Sequence, residues 1–205
     1  MRPLTGALIN NFYLMNTRLT RIYLLAIPVL IALYMATGHE MAAAFLPFII
    51  VLGLPAATFE NASVPFSTKW TAFENTWGLA PHFMVISRYI LYVLLAAAGL
   101  AVWFVLPFEF QPSPGSSFTL ANYVVAGLVM CAVFYPVTYL LNPKSDSLGI
   151  IILFSTMAIA ALLTFGLHRL VGDNFALTAL AVVASFIVSI ALSVAFNAMH
   201  RGRVA

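Results

Sequence analysis

Every acidic residue of this chain, Glu40, Glu60, Glu74, Glu109, Asp146 and Asp173, stands at the end of an apolar run or between two such runs. Runs of this kind constrain the fold more than any motif does, because about 20 apolar residues at 1.5 Å each cross the ~30 Å hydrocarbon core of a bilayer. Residues 22–37, 42–59, 85–106, 120–141, 149–167 and 175–197 read as six crossings, the first reaching full length with its flanks. With 63% hydrophobic and 7% charged residues there is too little polar surface to clothe a water-facing domain. The expectation is an all-α integral membrane protein, one transmembrane domain over residues 1–205.

Taken in order, residues 2–19 place Leu4, Leu8, Phe12, Met15 and Leu19 on one side of a helical projection, with Gly6, Asn10 and Thr17 opposite. That pattern predicts an amphipathic helix lying in the membrane interface. Residues 20–59 hold the first two crossings, and Pro47 and Pro55 predict kinks in the second. Residues 60–87 form a polar loop, with Glu60 and Arg88 marking its ends. Crossings three and four occupy 85–141, separated by a breaker-rich loop with Pro107, Pro112, Pro114 and Gly115. Ala96-Ala97-Ala98-Gly99 would let another backbone approach, and Pro136 is expected to break the fourth crossing. A turn at 142–148, crossings five and six over 149–197 and a basic tail at 198–205 complete the chain.

Six crossings put both termini on one side. Arg2, Arg18, Arg21, Lys69, Arg88, Lys144, Arg201 and Arg203 then share that side and Arg169 stands alone opposite, which by the positive-inside rule makes the termini and the loop cytosolic. Within the loop, Trp70, Phe73 and Trp77 fall on one face of a helix, with Lys69 and Glu74 beside them. Thr71 and Glu74 suit a capping box, Gly78 a stop, and Pro81 the start of the next helix. Two readings fit this short helix: a surface for a soluble partner, or an interfacial anchor whose tryptophans sit among headgroups.

Several chemistries lack their residues. Lys69 and Lys144, the two lysines, are not preceded by the glycines of a phosphate-binding loop. His39, His82, His168 and His200 have no carboxylate or cysteine at ligand spacing, so no metal site is expected. The lone Cys131 lies in an apolar run and reads as structural. No acid lies mid-span to carry a coupling ion, so driving energy must enter elsewhere. The net charge of +3 belongs to membrane orientation and does not point to nucleic acid. In the sixth crossing Ala181, Ser185, Ser189, Ser193 and Asn197 recur every four residues, a small and mildly polar stripe suited to helix packing or to lining a path.

Taken together, Phe59-Glu60, the run Trp70-Thr71-Ala72-Phe73-Glu74-Asn75-Thr76, Ser87-Arg88-Tyr89, Tyr135-Pro136-Val137, and a small-residue helix running into the basic tail resemble the permease subunits of ABC-2 type exporters. The resemblance is to the six-span kind whose ATPase is a separate polypeptide, among them exporters of phenol-soluble modulins and antimicrobial peptides. Where such permeases often show Leu-Pro after the central helix, this chain has Trp77-Gly78. The resemblance implies no cofactor on this chain, and ATP and Mg on two copies of a cytosolic ATPase subunit. It further implies a pair of permeases, taken as a homodimer, in a bacterial cytoplasmic membrane, with a hydrophobic or amphipathic peptide as cargo. It also turns Lys69, Trp70, Phe73, Glu74 and Trp77 into the expected ATPase contact. A non-transporting immunity or assembly protein that docks a partner through the same loop is the rival reading.

Overall fold

The structure, a computed structural model, describes residues 3–14, 18–37, 58, 80–105, 120–141, 146–171 and 174–201. Nearly all of the second crossing, the loop bearing Glu60, Lys69, Trp70, Phe73, Glu74 and Trp77, and the 107–119 connection lie outside these residues.

Six helices make up the described chain: α1 (Pro3–Leu14), α2 (Arg18–Thr37), α3 (Pro81–Val105), α4 (Leu120–Leu141), α5 (Asp146–Val171) and α6 (Phe175–Arg201). Their starts follow local chemistry. Pro81 opens α3, a position where its missing N–H costs nothing. Asn174 caps α6 by accepting the Leu177 N–H on its side-chain oxygen at 3.2 Å, while its carbonyl accepts the first helical bond from Thr178 at 3.1 Å.

Three stretches among the described residues are long and apolar enough to cross a membrane: His82–Ala101, Tyr123–Leu141 and Ala176–Met199. The apolar part of α5, Ile151–Leu167, is shorter. Leu162 and Phe165 on α5, and Leu180, Val183 and Ile187 on α6, are exposed, as side chains in contact with lipid would be.

The centre of the bundle is α4, which packs against both α5 and α6; α3 packs against α6 and against α1. The pairings Tyr89–Ser193 and Arg88–Tyr139 join the start of one helix to the end of another, so α3 runs antiparallel to α6 and to α4. Val85, Tyr89, Tyr92, Cys131, Phe134, Tyr135, Tyr139, Ile152 and Ala160 form the core, with Phe186, Ile190 and Val194 against it. Burial is therefore concentrated in the first half of α3 and the second half of α4.

Three expectations change. α3 starts at Pro81, where that proline was expected to open a helix, so the loop expected over 60–87 yields residues 81–87 to the helix and Arg88, expected at the loop's end, lies about two turns inside it. Pro136 does not break α4: the helix is continuous from Leu120 to Leu141 with the proline buried within it. Arg169, beyond the end of the fifth crossing expected at 149–167, lies in the last turn of α5, where it stacks over the Phe165 ring at 5.2 Å and favours the helix C-terminus. α1 rests on α3 with Ala7 fully buried and Leu4 and Leu8 half-buried.

Candidate functional site

The largest fully buried side chains include Tyr89, Tyr92, Tyr135 and Met84, and they gather at the end of the bundle where α3 begins and α4 and α6 finish. A buried tyrosine brings a hydroxyl that needs a partner. Here the partners come from α3, from α6 and from Thr58.

Tyr89 is the hub. Its hydroxyl lies 2.5 Å from Ser189 Oγ and 2.8 Å from Ser193 Oγ, two residues one helical turn apart on α6. One proton and two lone pairs serve both contacts: the tyrosine donates to at most one serine and accepts from the other. Its ring meets the Tyr135 ring at 4.8 Å between centroids and the Phe186 ring edge-on at 5.5 Å. One side chain thus touches α4 through its face and α6 through its tip.

Tyr135 and Tyr139 stand one turn apart on α4, which sets them on a common face. The Tyr135 hydroxyl donates to Thr58 Oγ1 at 2.8 Å, while the Tyr139 hydroxyl accepts from Arg88 Nη1 at 2.5 Å. The Arg88 guanidinium also lies 5.5 Å from the centre of the Tyr139 ring. A charged residue at the centre of a membrane helix costs roughly 2.5–3.5 kcal/mol on insertion scales. A hydrogen bond to a charged group returns about 1.5–3 kcal/mol, and a shielded cation over an aromatic face up to about 2 kcal/mol more. Tyr139 therefore offsets part of the cost of burying Arg88, which is 3% exposed.

The small-residue stripe divides at this site. Ser189, Ser193 and Asn197 are buried, the two serines on Tyr89. Ala181 is half-buried, and Ser185 is exposed and returns its hydroxyl to the Val182 carbonyl of its own helix at 2.7 Å. Thr138, buried beside Tyr139, has no hydrogen-bond partner for its hydroxyl among the described residues. Ser87 differs, donating to the Met84 carbonyl at 2.9 Å within α3.

Of the residues singled out from sequence, the structure brings Arg88, Ser189, Ser193 and Asn197 to one end of the bundle; Glu60, Lys69, Trp70, Phe73, Glu74 and Trp77 lie outside the described residues. Thr58, Tyr135 and Tyr139 were not singled out as site residues. The signal for the tyrosines was available, since two hydroxyl-bearing rings four residues apart in an apolar helix demand polar partners. Among the described residues no group of three His, Cys, Asp or Glu is placed to hold a metal ion. The arrangement has no nucleophile beside a base, and what it offers is mechanical: buried, directional bonds tying α3, α4, α6 and Thr58 together.

A family model described as ABC-2 family transporter protein matches residues 7–199. No curated protein and no solved structure matches the chain.

Proposed function

The chain belongs to the ABC-2 transporter family, and from that premise we propose that it is the membrane half of an ATP-driven exporter whose cargo is hydrophobic or amphipathic, a peptide of the modulin or antimicrobial kind. Membership itself makes it an integral membrane component without an ATPase domain and implies an ATPase partner and a lipid surround. The observation that carries the proposal is the reach of the match, from α1 almost to the end of α6 and across the central segment.

In this reading six crossings place both termini and residues 60–79 on the cytosolic side of a bacterial cell membrane. Two permease chains, a homodimer, stand on two ATPase subunits that hold ATP and Mg. Trp70, Phe73 and Trp77, flanked by Lys69 and Glu74, form the face that meets the ATPase. Closure of the ATPase pair moves that face, and the permease pair passes between closed and outward-open packing, a rigid-body transition biased by a ligand on another chain. Apolar spans with their acids at the ends support a cargo recognised by surface more than by specific charges.

The test is co-expression with an ATPase subunit encoded beside it, followed by purification and transport of a fluorescent amphipathic peptide. Co-purification with peptide-stimulated ATP turnover and export is the expected result. If the pair co-purifies but the peptide neither alters turnover nor leaves the cytosolic side, the exporter reading fails. Truncating Trp70, Phe73 and Trp77 to alanine should weaken ATPase association by about 30-fold or more, since a central interface aromatic is worth about 2 kcal/mol. Membrane insertion should survive the truncation; loss of insertion with association intact would instead mark the face as a lipid anchor.

A further inference from the structure

Tyr89 rests between two rungs of a longer ladder. Its hydroxyl reaches Ser189 and Ser193 of α6, both buried, and the next hydroxyl four residues earlier belongs to Ser185. Ser185 is exposed and keeps its hydroxyl on the Val182 carbonyl. Beside the serines runs a second row at the same spacing: Val182 is buried, and Phe186, Ile190 and Val194 pack against the core. Four residues advance a helix by about 6 Å and turn it by only about 40°, so each row is a ridge along which the helix can slide. One-turn displacement of a helix past its neighbour is an established form of switching between packed states. We propose that α6 has a second packing register against Tyr89, one turn along both ridges, in which the tyrosine lies between Ser185 and Ser189.

The shift replaces like with like. Ser185 takes the place of Ser189 and Ser189 that of Ser193, so Tyr89 keeps two serine contacts. Val182, Phe186 and Ile190 move into the places now held by Phe186, Ile190 and Val194, apolar for apolar. On the far side of α6, Val183, Ile187, Val188 and Leu192 are exposed, and lipid facing them sets no register. Only three residues separate Val171 from Phe175, so α5 follows α6. The buried residues Ile152, Thr156 and Ala160 of α5 are again four apart, and Thr156 gives its hydroxyl to carbonyls of its own helix, a bond that travels with it. A further observation does not involve the ladder. Thr138 of α4 is 1% exposed and its hydroxyl has no hydrogen-bond partner among the described residues, so the present register leaves a polar group of this bundle unsatisfied. Moving α5 and α6 by one turn renews the groups that face α4.

The test reads the register on the permease alone in lipid nanodiscs, so it stands whether or not an ATPase binds. Spin labels on Phe104→Cys of α3 and Met199→Cys of α6, both exposed, lie on opposite sides of Tyr89 along the bundle, about 35 Å apart by helix rise. Native Cys131 is fully buried and stays unlabelled. Bringing Ser185 to the place of Ser189 carries position 199 away from position 104, so pulsed electron spin resonance should show the second register as a peak about 6 Å longer. Ser193→Val removes one hydroxyl and crowds Tyr89 in the present register, whereas after the shift position 193 sits where the larger Asn197 now stands; the longer peak should dominate. Adding Ser185→Ala to that variant deletes the hydroxyl that the second register uses, and should lower the ratio of longer to shorter peak about threefold, the worth of one average interhelical bond. Ser193→Ala, a milder change, should raise that ratio about threefold over the parent and decides the matter if the valine variant fails to insert. A single peak at the parent distance in the Ser193 variants, or a longer peak indifferent to Ser185→Ala, would overturn the second register.

Discussion

The Tyr89 hydroxyl makes two buried contacts and can donate in at most one of them, so its removal tests how the site is held. Tyr89→Phe keeps the ring against Tyr135 and Phe186 and deletes both serine contacts. Interhelical hydrogen bonds in membrane proteins average about 0.6 kcal/mol, and a serine that loses one can turn to its own helix, as Ser185 does. The expected loss is therefore about 1 kcal/mol. Tyr89→Ala also empties a core position, and large-to-small changes of that size cost about 3–5 kcal/mol. Thermal unfolding in detergent should rank parent, Phe and Ala in that order with a much larger second step; a first step as large as the second would make the hydroxyl, and not the ring, the principal support. At this scale the sequence was half legible. The four-residue recurrence of Ser189, Ser193 and Asn197 marks one helix face, but periodicity cannot say which neighbour meets it. Arg88 misled for a physical reason: sorting charges to span ends assumes that burial goes uncompensated, and Tyr139 compensates it.

Helix extents were the most readable feature, because lipid leaves the backbone no partner but itself. The expected span at 120–141 coincides with α4, and those at 85–106, 149–167 and 175–197 fall within or next to α3, α5 and α6. Pro136 was misread because proline removes one hydrogen bond without forbidding helical φ, and a bundle buried on several sides holds the helix through the gap. Glycine gives a cleaner test of helix energetics. A Cβ added at Gly6 in α1 or Gly166 in α5 would have no atom within 4 Å. Among the described residues nothing opposes the substitution, and alanine favours a helix by about 0.5–1 kcal/mol over glycine. Gly6→Ala and Gly166→Ala should each raise the unfolding temperature and should add when combined, as distant sites do. A fall at Gly6 would mean that α1 needs that surface bare for something that rests on it.

For the molecule as a whole, orientation decides whether a cytosolic ATPase can reach the central segment. The buried tyrosine cluster lies at the end of the bundle where α3 begins and α6 ends, the end that also carries Arg88 and Arg201. Arg169 marks the opposite end, in the last turn of α5. Charge bias of this kind sets orientation because basic flanks resist translocation. The prediction uses the chain's own economy of thiols: Cys131 is fully buried, so cysteines can be introduced one at a time without removing it. In intact cells a membrane-impermeant maleimide should label Leu170→Cys or Asn174→Cys, both on exposed positions beside the α5–α6 connection. Ala72→Cys should react only after the cells are opened. The reverse pattern would put Trp70, Phe73 and Trp77 outside the cell, beyond reach of any ATPase, and would overturn the proposed contact.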